Sequence, residues 1–354
     1  MSGGAGAGTF AVFRQEAAMT TTVHAYAAHS PGGRLEPYEY QLGPLGPDEV
    51  DLDVNSCGIC FSDVSMIDNA WGFTPYPLVP GHEVIGKIRA IGERVAHLAV
   101  GDVVGLGWNA GSCLACTQCM SGDHHMCPKA VSTFIGRPGG YADIVRAQAH
   151  ALFKLPDGVD ARTAGPLMCG GITVFSPLSQ FSIPPTASVG VIGIGGLGHL
   201  AIKFARAWGC HVAAFTSTGG KHEEATEMGA HEVLDSRDAA ALANATHRFD
   251  LLLSTVNVSL DWNAFIGTLK PRGRLHVLGA VPEPLAIPVS SLMLAHRSVS
   301  SSPSGRPSDI TNMLAFVARH GIEPRTEHFP FDRVNDAIDH LRSGKARYRV
   351  VLER

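Results

Sequence analysis

Residues Ser188–Gly209 read SVGVIGIGGLGHLAIKFARAWG. A short apolar strand runs straight into Gly193, Gly195, Gly196 and Gly198, and those glycines run straight into an amphipathic helix. A glycine-rich match alone is weak; here it has the flanking strand and helix that its chemistry requires. The glycines make a tight turn, admit a pyrophosphate to the backbone and let helix and strand pack closely, while the helix N-terminus faces the anion. Gly193, Gly195, Gly196, Leu197 and Gly198 are therefore candidate dinucleotide-binding residues.

Outward from this loop, the strand-like stretches SVGVIG, HVAAFT, DLLLST and RLHVLG alternate with the helix-like stretches GHLAIKFARAWG and GKHEEATEMGA. That rhythm predicts an α/β domain with a doubly wound parallel sheet. About twenty residues past the glycines, a site for the unphosphorylated dinucleotide would present a carboxylate to the ribose. The sequence there is FTSTGGKHEE, which offers Thr216, Ser217 and Lys221 instead. Hydroxyls and an ammonium suit a phosphate dianion, so the loop predicts NADP(H). Glu223 and Glu224 fall a turn too far along, on the face of the next helix.

The remainder of the chain reads differently. From Val23 to Val104, stretches such as VHAYAA, EVDLDV, HEVIGKIRAIG and GDVVGLG alternate with period two between Gly and Pro breaks, which predicts a compact β-rich unit. A polar, cysteine-rich lobe follows over Gly111–Pro128. Amphipathic helices near Asp309–His320 and Val334–Ser343 and the strand RYRVVLE are expected to return to the first unit. The organisation expected is a flexible tail over 1–22, a β-rich domain over 23–172 and 304–354, and a dinucleotide-binding domain over 173–303.

Composition narrows the partners. Hydrophobic residues at 45% and charged residues at 17% are those of a globular chain. A net charge of −4 gives no basic surface for nucleic acid or anionic lipid. No apolar run approaches the ~18 residues needed to span a bilayer. The opening MSGGAGAGTFAVFRQEAAM lacks the basic and apolar regions of a secretory signal and reads as a Gly/Ala tail or an upstream start ahead of Met19. A cytoplasmic location is expected, where eight cysteines favour metal over disulfides.

Four of those cysteines lie within fifteen residues. GSCLACTQCMSGDHHMC places Cys113, Cys116, Cys119 and Cys127 with two, two and seven residues between them. Four thiolates close a tetrahedron around zinc and leave no position open, so the site is structural. An iron–sulfur cluster is the rival, because cubane motifs also favour two-residue gaps. His124 and His125 read as solvated loop residues, since the sulfurs already complete the site.

A second metal is suggested by His82 and Glu83 in VPGHEVIG, taken with cysteines in CGICFSD (57–63) and with Cys169 in GPLMCGGIT. Two thiolates and an imidazole leave a fourth position for water, a substrate oxygen or Glu83, which is the composition of a catalytic zinc. A lone His on a strand is more often a core residue, and two thiols three positions apart leave the choice of ligand open.

At this point the chain resembles the zinc-dependent medium-chain alcohol dehydrogenases, and within them the cinnamyl-alcohol-dehydrogenase-like branch with its bacterial NADPH-dependent aldehyde reductases. CGICFSD, SMIDNAWGFTPYPLVPGHEVIG, the Cys113–Cys127 run, AGPLMCGGITVFSPL, GVIGIGGLGHLAIK, TVNVSLDW and GKARYRVVL follow the family's order over nearly everything after Val23. The resemblance implies a GroES-like catalytic domain beside a Rossmann domain, two zinc ions per chain, and a homodimer. It implies that Cys60, His82 and Cys169 hold the catalytic zinc with Glu83 as an exchangeable fourth ligand, which leaves Cys57 and Cys210 as small buried hydrophobes. By the same matching Ser62 begins a proton relay, Asp63 orients the liganding His, Thr173 lies beneath the nicotinamide, and Thr216, Ser217 and Lys221 hold the extra phosphate. The activity implied is reversible reduction of an aldehyde to a primary alcohol by NADPH. An NADPH reductase of polarised C=C or C=N bonds, or a non-catalytic NADPH-binding zinc protein, are the alternatives. Two positions depart from the branch: Phe61 stands where His is usual, and Ser301, in SVSSSPSG, where Gly is usual. The substrate is not legible, although Trp71, Phe73, Trp108 and Met168 are candidates for an apolar pocket or for the core.

Overall fold

The computed structural model describes residues 20–354. The expected tail over 1–22 lies outside the described residues as far as 19. Thr21 and Thr22 are not tail: they begin the strand Thr21–Ala27, which pairs antiparallel with Glu36–Leu42.

The first large sheet has the strand order Thr326–Pro330, Arg349–Glu353, Glu49–Ile59, Glu83–Ile91, Val103–Leu106 and Leu152–Lys154, with Ile144–Gln148 also pairing Glu49–Ile59. All its pairings are antiparallel except that between Thr326–Pro330 and Arg349–Glu353. Its interior is apolar: Val50, Leu52, Val84, Val104, Leu106, Val350 and Leu352 are all fully buried. The early half of the chain and the strand Arg349–Glu353 thus share one core, with the helix Val334–Arg342 packed on it through Val334, Ala337 and Ile338.

The second sheet is six-stranded and wholly parallel, in the order Glu232–Asp235, His211–Thr216, Ser188–Ile192, Phe249–Ser254, Leu269–Val277, Ser298–Ser301. Its central strands are apolar on both faces because helices cover both faces. Strand order reverses between Ser188–Ile192 and Phe249–Ser254, and at such a switch point a crevice opens beyond the carboxyl ends of the strands. The helix Gly198–Trp208 starts at that crevice and ends on Gly209, whose φ of 104° suits a residue without Cβ.

The first of the two late helices departs from expectation. Pro307–His320 buries Ile310, Met313, Leu314 and Val317 among Val174, Phe175, Leu178 and Phe204. It therefore packs on the helices Gly170–Gln180 and Gly198–Trp208 of the cofactor half; only Val334–Arg342 returns to the first sheet. Among the described residues no helix is long and apolar enough to cross a membrane.

Candidate active site and metal centres

The strand Glu49–Ile59 ends at Cys60, which caps the helix Phe61–Ile67. Asp63, in the first turn, is fully buried, and three donors surround it. Its Oδ2 accepts the Cys60 N–H at 2.8 Å, and its Oδ1 accepts the Gly81 N–H at 3.0 Å and His82 Nδ1–H at 2.9 Å. The carboxylate thereby fixes the His82 tautomer, with Nδ1 protonated and Nε2 free as a lone pair. His82 is wedged between the face of Phe134, at 5.0 Å between ring centres, and the edge of Trp108, at 4.9 Å. Its Nε2 is buried and has no partner in the protein.

That lone pair points into a cluster. One ligand atom each from Cys60, His82, Glu83 and Cys169 lies within 4.8 Å of the others. The Cys60 and Cys169 sulfurs are 3.9 Å apart. The bond from Cys169 holds the Cys60 thiol well below the ordinary thiol range, and the same bond together with burial pushes Cys169 up. An orphaned buried imidazole nitrogen and two thiols sharing a proton are a donor set that fits a zinc ion. Glu83 is fully buried, and burial pushes its carboxyl up to about 7 although Arg349 beside it favours the charged form. Its Oε1 is bonded by Arg349 Nη2, while its Oε2 has no partner. Gly58 makes room for this carboxylate, since a Cβ there would stand 2.1 Å from Oε2. Cys57 is fully buried and outside the cluster, and Cys210 is 1% exposed.

In the lobe, Cys113, Cys116, Cys119 and Cys127 also bring their sulfurs within 4.8 Å of one another. Close pairs measure 3.5, 3.8 and 4.0 Å, and all eight cysteines of the chain are free thiols. A tetrahedron with Zn–S bonds of ~2.3 Å has sulfur–sulfur edges of about 3.8 Å. The sulfurs of a cubane cluster bind four different irons and stand much farther apart, so the spacing fits one ion. Backbone N–H groups of Ala115 and Cys116 hold the Cys113 thiol down at about 6, which readies it as a thiolate.

His124 and His125 are not free in solvent. Both are partly buried with their Nδ1 atoms shielded, and His124 packs edge-on to His150 at 5.3 Å. With Trp108, Met168 and Ser304 they line a cavity of about 40 Å³ between the lobe and the segment ahead of Pro307. Met168 is core, seated over Gly105, whereas Trp71 and Phe73 stack on each other at 6.0 Å and stay exposed. Phe61 is 52% exposed at the start of its helix, and Ser62 beside it is half-buried.

The glycine-rich loop after Ser188–Ile192 makes a tight turn with no room for side chains at two of its glycines. Gly193 has φ of 89°, and a Cβ on Gly198 would lie 1.9 Å from the Gly193 carbonyl oxygen. Thr216 ends the adjacent strand, Ser217 and Lys221 follow it, and Lys221 Nζ donates to the Ile194 carbonyl at 2.6 Å. Glu224 is engaged by Arg347, by Arg325 and by the Tyr348 hydroxyl, so its carboxylate is already taken up within the protein.

Two residues were not legible beforehand. Arg349 is 5% exposed and joins Glu83 and the Ile59 carbonyl on one side to the glycine loop on the other, where a Cβ on Gly196 would meet its Nη1 at 3.0 Å. His199 is fully buried; its Nε2 accepts the Arg325 N–H at 3.3 Å, so Nδ1–H donates to the Gly195 carbonyl at 3.1 Å. Its ring stacks on Tyr348 at 5.1 Å. An Arg on a late strand and a His inside a helix carry no motif that announces either role.

The chain matches two family profiles, "Alcohol dehydrogenase GroES-like domain" over 46–157 and "Zinc-binding dehydrogenase" over 196–319. It is 54% identical over 330 residues to the aldehyde reductase AdhA of Synechocystis, an alignment covering 93% of this chain and 98% of that one. Among solved structures, a cinnamyl alcohol dehydrogenase of Sorghum bicolor superposes with a TM-score of 0.91 at 34% identity, covering 94% of this chain and 98% of that one. The cinnamyl alcohol dehydrogenase of Helicobacter pylori in complex with NADP(H) superposes with 0.87 at 29% identity, covering 95% and 99%. Likeness at this level, end to end through both sheets, means that the chain belongs to the zinc-dependent medium-chain alcohol dehydrogenase family, in its cinnamyl-alcohol-dehydrogenase-like branch.

Proposed function

We infer that this protein is a zinc-dependent oxidoreductase that reversibly reduces aldehydes to primary alcohols with NADPH. The observation that carries the reading is the partnerless Nε2 of His82, buried against two thiols and a carboxylate beside the crevice of the parallel sheet. Cys60, His82 and Cys169 would hold the catalytic zinc, with Glu83 as an exchangeable fourth ligand, and Cys113, Cys116, Cys119 and Cys127 a structural one. When bound, the zinc supplies a Lewis acid for the carbonyl oxygen and NADPH supplies hydride. The chain supplies the rest. Asp63 holds His82 in the liganding tautomer, and Ser62 hands a proton to the substrate oxygen, or takes it back in the other direction. Gly193, Gly195, Gly196, Leu197 and Gly198 admit the pyrophosphate, Thr173 lies against the nicotinamide, and Thr216, Ser217 and Lys221 hold the phosphate. The engagement of Lys221 with the Ile194 carbonyl supports this, since it keeps the ammonium beside the loop rather than out in solvent.

A homodimer is also inferred. Ser298–Ser301 is an edge strand of the parallel sheet, and the preceding helix Val289–Met293 with its C-cap Leu294 leaves Val289, Met293 and Leu294 at 73%, 64% and 83% exposure. An open edge beside an apolar patch is a liability unless a partner covers it, and a second copy docked edge to edge covers both at once.

Four outcomes test these readings. Metal analysis should return two zinc ions per chain, and NADPH should be consumed with benzaldehyde, cinnamaldehyde or a short aliphatic aldehyde. One zinc in a well-folded chain, or no turnover across that panel, would sink the assignment.

Lys221→Ala should raise the KM for NADPH about tenfold to a hundredfold, the loss of one charge-assisted contact, with little change in the KM for NADH. Equal changes for both cofactors would show that Lys221 does not read the phosphate.

Ser62→Ala should lower turnover by about 10²–10⁴ with both zinc ions retained. Unchanged turnover would remove Ser62 from the proton path.

Light scattering on the wild type should give twice the chain mass, and Leu294→Asp should shift it toward the monomer. A monomeric wild type at micromolar concentration would refute the dimer.

A further inference from the structure

The serine run Ser300–Ser302 has a partner that the function above does not use. His276 is the register partner of Ser300 on the neighbouring strand and is 1% exposed. Its Nδ1 lies 2.9 Å from Ser300 Oγ and its Nε2 3.0 Å from Ser302 Oγ, so one imidazole clasps two hydroxyls two residues apart. The Phe181 ring closes over it edge-on at 5.1 Å. Burial, reinforced by Arg274, pushes the imidazole down to about 4. At neutral pH the ring is therefore uncharged, with one nitrogen donating and the other accepting.

The clasp acts at a definite place. Ser300 and Ser302 turn toward His276, whereas Ser301 and Pro303 are exposed on the other side. The Pro303 carbonyl accepts the Thr173 hydroxyl at 3.1 Å. Thr173 is one helical turn past Cys169, whose carbonyl accepts its N–H at 3.0 Å. Beyond Pro303 the segment is pressed onto the same helix, since a Cβ on Gly305 would stand 2.8 Å from Ile172 Cδ1. The contact between Pro303 and Thr173 thus joins the carboxyl end of the sheet's outermost strand to the metal-ligand cluster. Hydride must cross between those two regions, because one half of a dinucleotide lies along the carboxyl ends of the later strands.

We propose that His276 is a positioning residue for hydride transfer, setting Pro303 and the Thr173 hydroxyl against the nicotinamide through its hold on Ser300 and Ser302. This rests on the reductase reading above. The neutral imidazole fixes a segment where a glycine would be free to move, and so gives Ser301 a backbone held from behind. Misplacement of a reacting group by about 1 Å can cost about a hundredfold in rate.

The test uses the zinc-loaded enzyme with His276→Ala, Ser302→Ala and Ser302→Thr. Single-turnover hydride transfer is measured beside the affinity for 2′,5′-ADP, which engages only the adenosine half. His276→Ala and Ser302→Ala should slow hydride transfer about tenfold to a hundredfold, with 2′,5′-ADP affinity unchanged. Ser302→Thr, which keeps the hydroxyl, should restore the rate. If His276→Ala does not fold, the serine pair decides. Wild-type hydride transfer in Ser302→Ala, or equal losses of rate and 2′,5′-ADP affinity, would overturn the inference. A wild type that binds 2′,5′-ADP but reduces no aldehyde would overturn the reductase reading and this inference with it.

Discussion

One buried ion pair holds the two halves of the molecule to a common reference. Arg349 stands on a strand of the first sheet, bonds Glu83 and the Ile59 carbonyl there, and borders Gly196 of the glycine loop in the second half. Two charges withdrawn from water gain little net stability, because desolvation offsets most of their attraction. Breaking such a pair is another matter: the charge left alone costs about 3–5 kcal/mol. The pair therefore works as a constraint more than as a source of stability, and any shift of the glycine loop relative to the metal cluster is felt by it.

The metal cluster depends on that constraint and adds one of its own. Asp63 spends its two oxygens on three donors that belong to both sides of the pocket, the start of the helix Phe61–Ile67 and the Gly81–His82 turn. The geometry of this candidate metal site is thus set by hydrogen bonds to the Cys60 and Gly81 backbone and to the His82 ring. Gly58, Gly105 and Gly198 make the complementary contribution: each is a place where a side chain or carbonyl of the site occupies the space of a missing Cβ.

What was legible in the sequence was whatever has a period or a spacing. The βα alternation gave the parallel sheet, and the Cys113–Cys127 spacing gave the lobe, because both are local in the chain. The candidate metal cluster joins positions 60, 82–83 and 169, and only a resemblance to a known family could choose Cys60 over Cys57. Arg349, His199 and His276 were invisible for a shared reason. Each works through a partner distant in sequence, and a lone polar residue in an apolar stretch does not declare which partner it has. His124 and His125 misled in the opposite direction: adjacent polar residues in a loop read as solvated, yet His124 packs on His150 and both line a cavity with Trp108. The helix Pro307–His320 was placed on the wrong half because amphipathicity reveals that a face is buried and not against what.

The route of the chain through its first sheet also bears on how the protein is made. Glu49–Ile59 takes one of its neighbours from Arg349–Glu353, and Ile59 and Arg349 stand 290 positions apart in the chain. Synthesis runs from the N-terminus, so the ribosome releases the six parallel strands, from Ser188 to Ser301, before that neighbour exists. The half built on the parallel sheet can close on itself during translation, whereas the half built on the first sheet must wait with an unpaired strand edge. Of the two halves, the one that carries the metal cluster is the one most exposed to misassociation at birth.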